Sequence, residues 1–144
     1  MIDTDILLSK AAKVHRHVKR VKEKTPATLE EFLSALDLQD IVLFNLQMAI
    51  QNCIDMASHL ISDEGLGVPG STNEMFYTLK ENGYISHGLA EKMVAAVGFR
   101  NLVVHEYDNV DLEEVYRTSR VHVDDLLDFL RALLKRAGLA SGEP

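Results

Sequence analysis

The chain has 144 residues, 47% hydrophobic and 26% charged, with a net charge of −7. That is the size and balance of one globular domain able to bury roughly two-thirds of its unfolded surface, which excludes a disordered or collagen-like chain and a two-domain enzyme. Eight Gly, three Pro, 6% aromatic residues and no Trp speak for helices and against a turn-rich β-sandwich, and the single Cys53 excludes an internal disulfide or a thiolate-rich metal site.

In chain order, Leu7, Ala11, Val14, Val18 and Val21 recur at spacings of four and three, predicting an amphipathic helix from about Thr4 to Lys24 that Pro26 ends. Thr28 and Glu31 form a capping-box pattern for a short helix to about Leu36. Asp37 is placed to cap the next helix, from Leu38 to about Asp63, closed by Gly65. Its apolar residues cover more than one face, as expected of a central helix or one that also meets a partner subunit. The segment Glu64–Ser71, with three Gly and one Pro, reads as a loop. Ser71 and Glu74 then cap a helix to about Glu81, stopped by Gly83, and Ser86 caps a helix toward His105. Asp111 and Glu114 start a last helix, carrying Val115, Val121, Leu126, Phe129, Leu130, Leu133 and Leu134, to about Ala137 before Gly138. No run alternates as a strand. The expected architecture is all-α: an antiparallel bundle of about four long helices plus short ones, as a single domain over residues 1–140 with a frayed tail at 141–144.

The charge is uneven. Residues 1–24 hold seven basic and three acidic residues, for +4, and the remainder is −11. The acidic body speaks against broad nonspecific binding of nucleic acid. The first helix still offers a basic stripe, Lys10, Lys13, His17, Arg20 and Lys24, that is either a solvated face or an RNA contact. The N-terminus has no apolar run followed by a small-residue cleavage site. The most apolar stretch, Ile41 to Ile54, is 14 residues with two Asn and two Gln, too short and polar to span a bilayer, so a cytoplasmic protein is expected.

Chemistry-bearing residues gather in Gly98–Asp108 (GFRNLVVHEYD). Arg100 is a fixed cation able to hold a phosphate, and His105 can move a proton near neutral pH. Asn101 precedes His105 by four and is placed to orient the imidazole, while Glu106 and Asp108 would favour its charged form. Arg100 and His105 are five apart, about 140° around an ideal helix. They converge only if the helix end unwinds, the long Arg reaches around, or two chains contribute. By spacing alone a capped helix end with scattered polar residues is the simpler account of them, with Tyr107 a partly buried hydroxyl that stabilises the loop. Asp55 and His59, at i and i+4, read as a polar pair inside the bundle or at a dimer seam, or as support for a cleft, rather than as metal ligands. His15 and His17 read as surface, and Cys53 and the Met residues as packing.

The run Arg100-Asn101-Leu102-Val103-Val104-His105-Glu106-Tyr107 resembles the Arg-x4-His-x-Tyr signature of HEPN-domain proteins, specifically the HepT-like toxins. The likeness extends over roughly residues 2–135, including Ile54–His59 of the central helix, the loop with Pro69, and Phe76–Leu79. It implies a metal-independent endoribonuclease acting as a homodimer, whose two Arg/His motifs share one cleft. On this chain His105 would be general base or acid, Arg100 would bind the scissile phosphate, and Asn101 would position them. It also implies an antitoxin partner, a minimal nucleotidyltransferase that uses ATP to place AMP on Tyr107, with no cofactor in the chain itself. The competing reading is a noncatalytic helical subunit that binds nucleotide or substrate for a nucleotidyltransferase. A third is a plain structural bundle.

Overall fold

The computed structural model describes residues 2–139, so the predicted domain limit at residue 140 and the tail at 141–144 lie outside the described residues. Among these residues every regular element is helical: α1 (Thr4–Lys24), α2 (Leu29–Leu33), α3 (Leu36–Asp63), α4 (Thr72–Glu81), α5 (His87–His105), α6 (Leu112–Arg117) and α7 (Val123–Arg136). A 3-10 turn, Tyr107–Asn109, follows α5, and a π-helical segment, Thr118–His122, joins α6 to α7. The long elements are α1, α3, α5 and the α6–α7 run, the bundle expected from the periodicity. No helix of the described residues is long and apolar enough to cross a membrane.

The caps explain most boundaries. Thr28, Ser71, Ser86 and Asp111 each accept a hydrogen bond from a backbone N–H of the following turn. Glu74 also reaches back, accepting from Gly70 N–H at 2.6 Å. At the other end of α3, Gly65 adopts a left-handed φ of 63°, which lets Leu66 N–H reach the Ile61 carbonyl at 3.0 Å.

Three local expectations are corrected. Asp37 does not cap α3: Leu36 is already helical, and the cap residue Ala35 makes no side-chain bond. Helix α2 stops at Leu33 rather than Leu36, because the Gln39 amide donates to the Phe32 and Leu33 carbonyls at 2.9 and 3.2 Å and satisfies the end of α2. Val121, counted with the apolar stripe of the last helix, is 61% exposed. The wider π turn advances the register, so Val115, Thr118, Ser119 and Val123 are the buried positions.

Helix α1 runs antiparallel to α3, a register set by Asp3 N–H on Asp63, Lys10 on Asp55 and His17 on Asn45. The core lies between α1 (Leu7, Val14, Val21), α3 (Val42, Leu46, Met56, Leu60) and α7 (Phe129, Leu130, Leu133), closed by Phe76 of α4 and Met93 of α5. Phe76 and Phe129 meet edge to face at 5.5 Å.

His17 is 6% exposed, not a surface residue. Asn45 donates its amide to the Ile41 carbonyl at 2.8 Å, so its oxygen accepts from His17 Nδ1 at 2.9 Å, which places the proton on that nitrogen.

Phe129→Ala is expected to cost about 3–5 kcal/mol, read as a lowered urea midpoint with unchanged slope. Burial pushes the Cys53 thiol far above its usual range, so iodoacetamide should leave Cys53 unmodified in the folded chain and alkylate it in denaturant.

Candidate active site

Along α3, Asp40, Phe44, Met48, Gln51 and Asp55 follow one another at spacings of four, four, three and four, one stripe of the helix. This stripe meets α5 and the turn after it through two side-chain bridges.

The first bridge is a chain of polar contacts that ends on Arg100. Lys10 donates to Asp55 Oδ2 at 3.1 Å, and the Gln51 amide donates to Asp55 Oδ1 at 3.0 Å. With its NH2 committed to Asp55, Gln51 turns its oxygen to α5, where it accepts from Arg100 Nη1. Arg100 Nη2 donates to Asn101 Oδ1 at 2.8 Å. The half-buried guanidinium is thereby held by two of its five donors. Its Nε–H is buried without a hydrogen-bond partner among the described residues. An anion reaching this group would meet a positioned cation with unused donors.

The second bridge is Tyr107. Its hydroxyl donates to Asp40 Oδ1 at 3.0 Å and pins the 3-10 turn to α3, 67 residues away in sequence. Partial burial, together with the hydrogen bond to Asp40 and the charges of Asp40 and Asp108, holds the Tyr107 phenol above its ordinary pKa.

His105 is the last residue of α5, exposed, with no hydrogen bond or ion pair to another described residue. Asn101 therefore orients Arg100 and not His105, and neither Glu106 nor Asp108 pairs with the imidazole. Because α5 stays helical to His105, the angle of about 140° between Arg100 and His105 persists, and one chain does not bring them onto a common face.

Asp55 joins the Arg100 support, but His59 does not: both Asp55 oxygens are taken by Lys10 and Gln51. The basic stripe is divided. Lys10 is engaged at the edge of this network and His17 is buried, while Lys13 and Arg20 are exposed. Gln51 and Asp40 were not singled out from sequence; their place on the same α3 stripe as Asp55 was the signal available. Among the described residues no three His, Cys, Asp or Glu side chains gather as metal ligands. A cleft of about 180 Å³ lined by Ile50, Ala96, Phe99, Thr118 and Leu126 includes none of Arg100, His105 and Tyr107.

The family model described as "Ribonuclease HepT-like" matches residues 14–133, which include α3, α5 and every residue of both bridges except Lys10. The chain belongs to the HepT-like ribonuclease family. It is 32% identical to the mRNA nuclease HepT of Shewanella oneidensis, over 88% of this chain and 94% of that one. It is 28% identical to the tRNA nuclease HepT of Aphanizomenon flos-aquae, over 80% and 78% of the two chains. In three dimensions it matches a tri-AMPylated Shewanella oneidensis HEPN toxin in complex with MNT antitoxin, with a TM-score of 0.84 and 31% identity over 94% of this chain and 99% of that one. The match agrees with the all-α bundle read from the helical pattern and with the HEPN fold that the resemblance of the motif implies.

Gln51→Ala should free Arg100 while leaving the fold intact, at a stability cost of about 0.5–1.5 kcal/mol. In NMR spectra the Arg100 guanidinium signals should move from resolved positions into the envelope of exposed arginines.

Proposed function

We propose that this chain is the toxin of a toxin–antitoxin pair, an endoribonuclease that cuts RNA without a metal ion at a cleft shared by two copies of the chain. In this reading a nucleotidyltransferase antitoxin silences it by transferring AMP from ATP to Tyr107, and the pair works in the cytoplasm. The observation that carries the reading is the split motif: Arg100 held against α3 by Gln51 and braced by Asn101 on its own helix, His105 exposed at the end of that helix, and Tyr107 two residues further on, bonded to α3 at Asp40.

Two facts favour a second copy. Arg100 and His105 diverge within one chain, so a composite cleft is the economical way to bring a phosphate-binding group and a base to one phosphodiester. Phe44 (57% exposed), Leu102 (58%) and Val104 (48%) also leave apolar surface on and beside the face that carries both bridges. Covering that surface with its own copy buries it by the usual two-fold arrangement.

The chemistry then follows from the side chains. His105 accepts the proton of a ribose 2′-hydroxyl as that oxygen attacks the adjacent phosphorus, and Arg100 offsets the charge that builds on the phosphoryl oxygens. The 5′-oxygen leaves and takes a proton from water, giving a 2′,3′-cyclic phosphate end and a 5′-hydroxyl end, and His105 returns the proton it holds to solvent. DNA, lacking the 2′-hydroxyl, is not cut. AMP on Tyr107 adds bulk and negative charge beside His105, which repels RNA and blocks the base. The names of the relatives, an mRNA nuclease and a tRNA nuclease, and a neighbour that is an AMPylated toxin bound to its antitoxin, support this reading.

The test is RNA cleavage by the unmodified protein in EDTA. Cleavage to cyclic phosphate ends is expected, lowered at least ~100-fold in His105→Ala and ~100-fold in Arg100→Ala. Intact RNA under conditions where a control nuclease cuts would overturn it in favour of a noncatalytic nucleotide-binding subunit. Sedimentation should give a dimer, and Phe44→Glu should shift it toward monomer with loss of cleavage.

A further inference from the structure

The Tyr107–Asp40 bridge has a chemistry of its own. A phenol is a poor nucleophile while it keeps its proton, and the surroundings of Tyr107 make that proton harder to lose in advance: burial and the carboxylates of Asp40 and Asp108 all oppose a free phenolate. Attack by this oxygen near neutral pH therefore needs a base that takes the proton during bond formation. Asp40 Oδ1 already accepts that proton's hydrogen bond at 3.0 Å.

We propose that Asp40 is the general base for nucleotidyl transfer onto Tyr107. This rests on the reading of Tyr107 as the modified residue. In the step, Tyr107 Oη attacks the α-phosphorus of ATP, the bond from that phosphorus to the bridging oxygen breaks, and pyrophosphate leaves with the electron pair. The phenolic proton passes to the Asp40 carboxylate. Asp40 is exposed, so it returns the proton to water and is ready again. The hydrogen bond also fixes the direction of Oη, leaving a lone pair directed away from α3.

The geometry is specific to this tyrosine in one respect. Tyr77 also donates to a carboxylate, Glu91, at 2.8 Å, but that pair joins the middle of α4 to the N-terminal half of α5 and not to the Arg100–His105 end. Tyr84 points to Glu64 at a longer 3.4 Å, and Tyr116 to the Pro26 carbonyl at 3.0 Å. Tyr107 alone among these combines a carboxylate partner with a place in the motif, and Tyr77–Glu91 supplies an internal control.

The experiment follows AMP incorporation into full-length chain by intact mass and labelled ATP, with magnesium and the nucleotidyltransferase antitoxin of the proposed pair. Wild type, Tyr107→Phe, Asp40→Asn, Asp40→Glu and Glu91→Gln are compared across pH. Asp40→Asn should slow the first AMP addition about 100-fold or more. Its residual rate should climb with pH toward the phenol's ionisation, whereas the wild-type rate should depend much less on pH over the same range. Asp40→Glu should recover part of the rate, and Glu91→Gln should match wild type. Equal rates in wild type and Asp40→Asn, with the modification still mapping to Tyr107, would overturn the role of Asp40 alone. A uniform loss at every pH with an unchanged profile would overturn it too, reducing Asp40 to a tether. Full modification of Tyr107→Phe would remove the underlying reading together with the proposal.

Discussion

The fold depends on α3 being surrounded. A 28-residue helix about 42 Å long is covered by α1 along its length and by α4, α5 and α7 in parts, so most of its faces must be apolar and a polar side chain buried on it must find a partner. Where the cover is complete, the helix satisfies its own side chains: Asn45 and Asn52 donate to the carbonyls of Ile41 and Met48, both at 2.8 Å. Where the cover is incomplete, along Asp40, Gln51 and Asp55, the polar groups bond to other elements instead. That strip is where Lys10, Arg100 and Tyr107 attach. One helix thus organises the core and sets the register of the candidate site.

The same helical geometry explains the division of labour in the motif. In a continuous helix, positions 100 and 105 cannot share a face. The residue at 100 turns to α3 and is held there, and the residue at 105 ends the helix and faces solvent. Asn101, four before His105 and adjacent to Arg100, bonds to the guanidinium because that cation is close and fixed. A neutral amide gains more from a charged donor than from an exposed imidazole.

Legibility followed the range of the interaction. Thr28, Ser71, Ser86 and Asp111 were readable as helix starts because a cap involves only the next three residues. The end of α2 is not legible in this way, because Gln39 binds its last carbonyls, a contact between two helices and not a local pattern. Val121 was misplaced because the π turn changes the period from within. His17 fell in a basic stripe by spacing, yet is buried on Asn45, 28 residues on.

The sequence by itself determined the all-α class, nearly every helix boundary, the apolar faces that form the core, and the Arg100, His105 and Tyr107 signature with its family. These are local or periodic properties, written in residues at most a few turns apart. Only the tertiary structure decided that Gln51 and Asp55 hold Arg100, that Asp40 receives the Tyr107 hydroxyl, that His59 stands apart from the site, and that Arg100 and His105 stay divergent in one chain. Those contacts span 45 to 67 residues, as in Lys10–Asp55, Gln51–Arg100 and Asp40–Tyr107. Their existence depends on how α1 and α5 dock against α3, which packing sets and no short-range pattern encodes.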